Sequence, residues 1–306
     1  MDLKVNIGQA VFKNPIWVAS GTFGYGEEFE DFLKLENIGA IITKTVTLKP
    51  REGNTPPRIV ETASGLLNSI GLANKGIDDF LEEAWPKLKN IKTNVIVSIA
   101  GDGPDEYTRC VGKLTGKNTP AAIELNLSCP NVSHGGAKGS LFAQDPGITK
   151  EIVSAVRERT ECALIVKLTP NVTDIAEAAK AAEAGGADAV SAVNTYLGMA
   201  VNAETMKPVL GNVVGGLSGP AIKPMALKAV RDVYNSVNIP VIGVGGIMTG
   251  VDVAEFMLCG ASAVQVGTAN LADPAAYDRV LEEFTEYLKR KKIEKAGSLT
   301  GKLKGI

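Results

Sequence analysis

Several kinds of chemistry need residues that this sequence scarcely has. Its 306 residues include four cysteines (Cys110, Cys129, Cys162 and Cys259) and a single histidine, His134. The cysteines are far apart and no Cys-x-x-Cys occurs, which argues against a cluster held by closely spaced thiolates and against the usual zinc sites. A disulfide scaffold is out of place in a chain of this size without secretory features. Cys110, Cys162 and Cys259 fall on predicted helices or helix ends and read as small core residues. Charge of one sign is also missing. A formal net charge of −2 creates no field suited to wrapping nucleic acid or gripping an anionic membrane. No apolar run reaches the length of a spanning helix. The start, "MDLKVNIGQA", lacks the basic region and apolar core of a signal peptide, so a cytoplasmic location is expected. Finally, no Gly-x-Gly-x-x-Gly turn occurs. After Gly243 and Gly245 the third position is Met248, which counts against a doubly wound dinucleotide-binding sheet.

What the chain does have is a repeating unit. "LENIGAIITK", "EAGGADAVSAVN" and "MLCGASAVQVG" each end a helix, turn at glycine, and enter an apolar β-branched strand. The glycine is expected in a left-handed C-cap, and the alanine after it allows close helix–strand packing. Eight short apolar runs follow in order: 16–19, 40–44, 95–100, 121–127, 163–168, 189–194, 241–244 and 263–266. They read as parallel strands covered on both sides. Helical patterns lie between them at 27–35, 76–88, 174–184, 220–234 and 251–258, and an amphipathic helix is predicted over 273–292. The expected fold is α/β: one closed (β/α)8 TIM barrel spanning 1–306, with an N-terminal hairpin turning at Gly8–Gln9 beneath it. Two connections, 45–74 and 195–218, are too long for mere links and leave C-terminal strand ends, where barrel enzymes keep their sites.

Polar residues gather at those same strand ends. Ser20, Lys44 and Thr45 follow the first two strands; Asn126 and Cys129 follow the fourth; Lys167 ends the fifth; Asn194 and Thr195 follow the sixth. A lysine inside "ALIVKLTP" is costly to bury unpaired, so Lys167 needs an anion, either a ligand's or a core carboxylate such as Glu124. Gly245–Gly246 and Gly267–Thr268 follow the last two strands just before predicted helices. Bare backbone there suits a phosphate, with the helix dipole adding attraction. "ELNLSCPN" places Cys129 between Ser128 and Pro130 just past a strand, where a thiol can face a reaction centre rather than pack in a core.

These stretches carry a family resemblance. "SGTFGYG", "ITKTVTLKPREGNTPPR", "LLNSIGLANKG", "ELNLSCPN", "VKLTPN", "VNTYLGM", "GGLSGPAIKP", "GVGGI" and "VQVGTA", in this order, resemble the dihydroorotate dehydrogenases. Cysteine at position 129 resembles class 1, and "NSIGLANKG" with "NVSHGGAKGSLFAQDP" is most similar to the class 1B catalytic subunit. The resemblance implies FMN, with its phosphate held by Gly245, Gly246, Gly267 and Thr268 near Gly219. Ser20, Lys44, Thr45, Asn126 and Val193 match other flavin contacts, and Lys167 matches the cation beside the ring's N1 and O2. Ser98 stands where the family often has asparagine against the flavin. Asn68, Ser69, Ile70, Gly71 and Leu72 match a substrate loop, and Lys44, Asn126, Asn194 and Thr195 match groups holding the ring and carboxylate of orotate. Cys129 matches the base that removes a proton from C5 of dihydroorotate while hydride leaves C6 for the flavin; His134 reads as a solvated loop residue.

Since this chain has no cluster cysteines and no dinucleotide fingerprint, the class 1B resemblance implies that electrons leave through a second subunit. That subunit would carry FAD and a [2Fe-2S] cluster and pass electrons to NAD+, in a heterotetramer of two catalytic and two electron-transfer chains built on a catalytic homodimer. Four alternatives stay open: a fumarate-dependent class 1A homodimer, a dihydropyrimidine dehydrogenase-like flavoenzyme, a Schiff-base aldolase using Lys167, and a non-catalytic scaffold. A yellow protein excludes the last two. Fumarate against NAD+, and dihydrouracil against dihydroorotate, separate the others.

Overall fold

The computed structural model describes residues 1–127 and 144–305. Eight parallel strands form its centre: β1 (Ile16–Val18), β2 (Ala40–Ile42), β3 (Asn94–Ala100), β4 (Ala122–Asn126), β5 (Ala163–Lys167), β6 (Ala189–Ala192), β7 (Val241–Val244) and β8 (Ala261–Val266). They run in the order β2-β1-β8-β7-β6-β5-β4-β3, and pairing of β2 with β3 closes the ring. This is the expected (β/α)8 barrel. Helices Pro104–Lys113, Pro146–Arg157, Ile175–Ala184, Lys223–Tyr234 and Gly250–Cys259 cover its outside. The C-terminal helix Ala276–Lys291 buries Val280, Phe284 and Leu288 on one face.

The two-residue period of the strands sorts their side chains into two separate apolar clusters. Ile41, Val97, Leu125, Val166, Val190 and Val264 point outward to the helices. Ile42, Ile96, Ala122, Ile165, Ala189 and Ala263 point inward. The hairpin, Val5–Ile7 against Ala10–Phe12, turns at Gly8 (φ +53°) and plugs the lower barrel with Val5, Ile7 and Phe12.

Three sequence-based expectations change. No α-helix forms over 27–35. The segment has only the 3-10 turns Glu27–Phe29 and Leu35–Asn37, and Phe23 stacks on Phe29 at 4.0 Å. Four acidic residues within five positions (Glu27, Glu28, Glu30, Asp31) repel one another at helical spacing, and Gly24 and Gly26 precede them with positive φ. Second, the repeat's glycines serve different ends. Gly186 (φ +96°) and Gly260 (φ +124°) take the expected left-handed conformation. Gly39 does not: it is bare because a Cβ there would stand 2.6 Å from the Ile16 carbonyl oxygen. The buried Tyr277 hydroxyl accepts the Gly39 N–H at 2.9 Å and donates to that carbonyl at 3.0 Å. Third, the two long connections are one structure. Ile59–Thr62 and Gly65–Asn68 from the first pair with Val214–Ser218 and Tyr196–Met199 from the second, forming a four-stranded antiparallel sheet at the barrel mouth.

Candidate active site

Two residues above the inward apolar layer, the same strand faces turn polar: Lys44, Ser98, Glu124, Lys167, Ser191 and Gln265. One further step brings Asn126, Val193 and Gly267 to the wall of a cavity of about 440 Å³. That is the size of a small-molecule site. Lys167 lies on its floor with only 5% of its side chain exposed. Its Nζ donates to Gln265 Oε1 at 3.3 Å and stands 3.8 Å from Glu124 Oε1. The core carboxylate named as one alternative is therefore present, and Lys167 meets the cavity as well.

Asn126 and Thr45 are held from behind. The Asn126 amide donates to Thr45 Oγ1 at 3.2 Å, and Thr45 Oγ1 lies 2.9 Å from Ser98 Oγ. Tyr107 donates its hydroxyl to the Asn126 carbonyl at 3.0 Å, tying strand β4 to the helix outside. Across the mouth, Asn171 donates to the Thr195 carbonyl at 3.0 Å and accepts from Leu197 N at 2.9 Å. The loop over the cavity is braced by Asn74, whose amide donates to Leu72 O at 2.7 Å and to Thr47 Oγ1 at 2.8 Å. Leu72 sits at φ +56°, an uncommon conformation for a non-glycine residue.

At the far end Gly219, Gly245 and Gly246 all have positive φ (+93°, +130°, +74°). A Cβ on Gly246 would come within 2.8 Å of the Gly219 carbonyl and 2.9 Å of Lys223 N, so these turns abut with bare backbone. Thr268 donates to Ser218 Oγ at 2.8 Å beside them. The expected help from the helix after β7 is reduced by a side chain. Asp252 accepts from Met248 N at 2.9 Å and Thr249 N at 2.8 Å, and Thr249 caps Asp252 N in return. An anion already occupies that helix start. Burial works to raise the Asp252 carboxyl, but Lys223 at 2.5 Å and the two N–H groups outweigh it and hold it below the usual range. A depressed carboxylate stabilises the fold above its unfolded pKa and ceases to do so as pH falls through the folded value. Asp252→Ala is therefore expected to cost about 1–2 kcal/mol of unfolding free energy at neutral pH. The gap should narrow below about pH 4, as checked by denaturant melts at both pH values.

The cavity gathers most of the residues expected from the sequence. Ser20, Lys44, Thr45, Asn126, Lys167 and Val193 line its inner part, and Gly219, Gly245, Gly246, Gly267 and Thr268 its far end. Asn68, Ile70, Gly71, Leu72, Asn194 and Thr195 line its mouth. Two expected residues do not reach it. Ser98 is fully buried behind Thr45, and Ser69 is fully buried, its hydroxyl accepting from Asn54 at 2.9 Å. Cys129 and His134 lie outside the described residues. Sequence reasoning missed Ile59, Leu66, Ser218 and Met248, which also line the cavity. Of these only Ser218 had a signal, in "GGLSGP" beside Gly219.

Comparison with known proteins agrees with this geometry. A family model described as Dihydroorotate dehydrogenase matches residues 2–288. A protein of Citrifermentans bemidjiense, named dihydroorotate dehydrogenase B (NAD(+)), catalytic subunit, is 52% identical over 302 residues, covering 99% of this chain and 98% of that protein. Proteins of the same name from Bacteroides thetaiotaomicron and Phocaeicola vulgatus are 51% and 53% identical, covering 99% and 94% of both chains. With its barrel closed, its cavity at the C-terminal strand ends and its sequence matched almost end to end, this chain belongs to the dihydroorotate dehydrogenase family.

Proposed function

We propose that the chain is the catalytic subunit of an NAD+-linked dihydroorotate dehydrogenase, oxidising dihydroorotate to orotate in pyrimidine biosynthesis. The observation that carries this is one cavity with a buried ammonium, Lys167, at its floor and bare glycine turns at its far end, in a chain half identical to proteins of that name. The residues fit FMN. Gly267 has no positive φ, and the atoms nearest to a Cβ on it would be Ala19 Cβ at 3.5 Å and Thr22 at 3.8 Å, ordinary contact distances. Neither conformation nor packing requires glycine there, whereas a phosphate approaching the backbone would. When bound, FMN supplies the two-electron acceptor.

The chain's own groups do the rest. Gly245, Gly246, Gly267 and Thr268, with Gly219 beside them, would hold the phosphate, and Lys167 presents a fixed positive charge where negative charge grows. Asn126, Asn194, Thr195 and Lys44 orient the planar substrate by donors and acceptors at its edge, and the mouth sheet with the 68–72 loop keeps water out. Cys129 removes the proton at C5. Electrons leave through a partner subunit with FAD and a [2Fe-2S] cluster, in a complex of two catalytic and two electron-transfer chains. Exposed apolar residues on the mouth strands and their connection (Leu197, Met199, Val201, Met206, Val213) support a catalytic homodimer formed there. Among the described residues no helix is long and apolar enough to cross a membrane; we place the enzyme in the cytoplasm.

The test is direct. Purified protein should be yellow, and anaerobic dihydroorotate should bleach it; dihydrouracil should not. Adding the partner subunit should then couple the oxidation to NAD+, while fumarate alone should not sustain turnover. A colourless protein, or one that dihydroorotate leaves oxidised, overturns the reading.

A further inference from the structure

The polar layer beneath the cavity raises a question that packing does not answer. The layer below it is filled by Ile42, Ile96, Ala122, Ile165, Ala189 and Ala263, and more of the same could close the barrel here. Instead the chain buries a carboxylate. Glu124 is 0% exposed and does not line the cavity. Its Oε2 accepts from Gln265 Nε2 at 2.7 Å and from Ser191 Oγ at 3.2 Å. Its Oε1 accepts no hydrogen bond among the described residues and faces Lys167 Nζ at 3.8 Å. Gln265 completes the ring by accepting from Lys167 Nζ at 3.3 Å. The amide has one consistent orientation, since turning it over would set NH₂ against ammonium and oxygen against carboxylate. Buried ion pairs seldom improve on apolar packing, so stability is a poor reason for this ring. Of the ion pair, only Lys167 reaches the cavity.

We propose that Glu124 is a positioning residue for Lys167. Oriented by Gln265 and Ser191, the carboxylate holds the ammonium at the cavity floor and, as its counter-ion, sets how much positive charge the floor offers the ligand above. The proposal rests on the flavin reading of that cavity. It makes Glu124 and Lys167 opposed controls on one electrostatic quantity. Glu124→Gln keeps the shape and removes the negative charge behind the ammonium. Lys167→Met removes the ammonium and leaves the carboxylate. A negative charge growing on reduction is favoured by the first change and disfavoured by the second.

The test measures the midpoint potential of the bound flavin in the holoprotein. In Glu124→Gln the preference for reduced flavin should rise tenfold or more, which for a two-electron couple is about 30 mV or more upward. In Lys167→Met the potential should move downward. A residue that only fills the barrel would loosen the site in both variants and shift both in the same direction. Shifts of one sign, or an unshifted Glu124→Gln, overturn the proposal. A second measurement is independent of flavin. In a double-mutant cycle on unfolding of the flavin-free full-length chain, each single change should destabilise, and the pair should destabilise less than the sum by tenfold or more in the unfolding constant. Additive losses overturn the pairing. If the unsubstituted chain binds no flavin, the cavity reading fails, and the cycle alone then decides whether Glu124 holds Lys167.

Discussion

Cys129→Ala should retain the flavin, while its reduction by dihydroorotate should slow by roughly 10² or more. The other three cysteines offer no competitor for the proposed role. Burial pushes the Cys110 thiol up to about 12 and the Cys162 thiol up to about 11, and Cys259 is also raised by burial. None of the three lines the cavity, and none is a thiolate source near neutral pH. Cys129 follows Asn126, a cavity residue, by three positions in sequence. An ordinary thiol ionises near about pH 8.5, so the base form is scarce at neutrality and grows with pH. The rate of flavin reduction should accordingly rise through the neutral-to-alkaline range in the unsubstituted chain, and that rise should vanish in Cys129→Ala. Anaerobic stopped-flow at several pH values reads both effects. Reduction at full speed in the variant would take the proton-abstracting role away from Cys129, and a flat profile with chemistry rate-limiting would take away the thiol.

What could be seen in the sequence follows from how local each signal is. The eight strands were legible because a strand buried on both faces must be apolar throughout, whatever it packs against. Lys167 stood out for the same reason, as a charge inside such a run, and Glu124 could be named as a partner because it is the carboxylate inside the preceding strand run, although the register sets it beside Ile165 and puts Asn126 beside Lys167. Gln265 could not. Glutamine in "AVQVG" raises no alarm, and its bonds to Lys167 and Glu124 span 98 and 141 positions. The mouth sheet was hidden for a similar reason. Gly65–Asn68 pairs with Val214–Ser218 about as far away in sequence, and the second strand reads as a glycine-rich loop. That Ser98 and Ser69 stand behind the cavity wall was not legible, because strand parity and loop sequence give a residue's neighbourhood but not which of two hydroxyls is in front. The dipole expected after β7 was overlooked as already occupied, although Thr249 and Asp252 have capping-box spacing.

The glycine turns allow ligand and fold to be tested apart. Gly246→Ala places a Cβ 2.8 Å from the Gly219 carbonyl on a residue at φ +74°, so the turn must open. The left-handed conformation alone costs about 1–2 kcal/mol. This variant should melt earlier and bind FMN poorly, but both failures could share one cause. Gly267→Ala separates them. Its φ is not left-handed, and the added methyl would make only ordinary contacts with Ala19 and Thr22, so its thermal midpoint without flavin should match the parent's. The methyl would nonetheless occupy space at the cavity wall between β8 and the short helix Ala269–Ala272. If a phosphate lies against that backbone, FMN affinity should fall by roughly 10²-fold, the equivalent of about 2.8 kcal/mol. Titration of flavin-free protein with FMN, and with riboflavin as the phosphate-free control, measures it. Riboflavin binding should change far less, because it lacks the group that the methyl displaces. Equal loss of both ligands would move the phosphate away from Gly267, and undiminished FMN binding would remove these turns from the flavin site altogether.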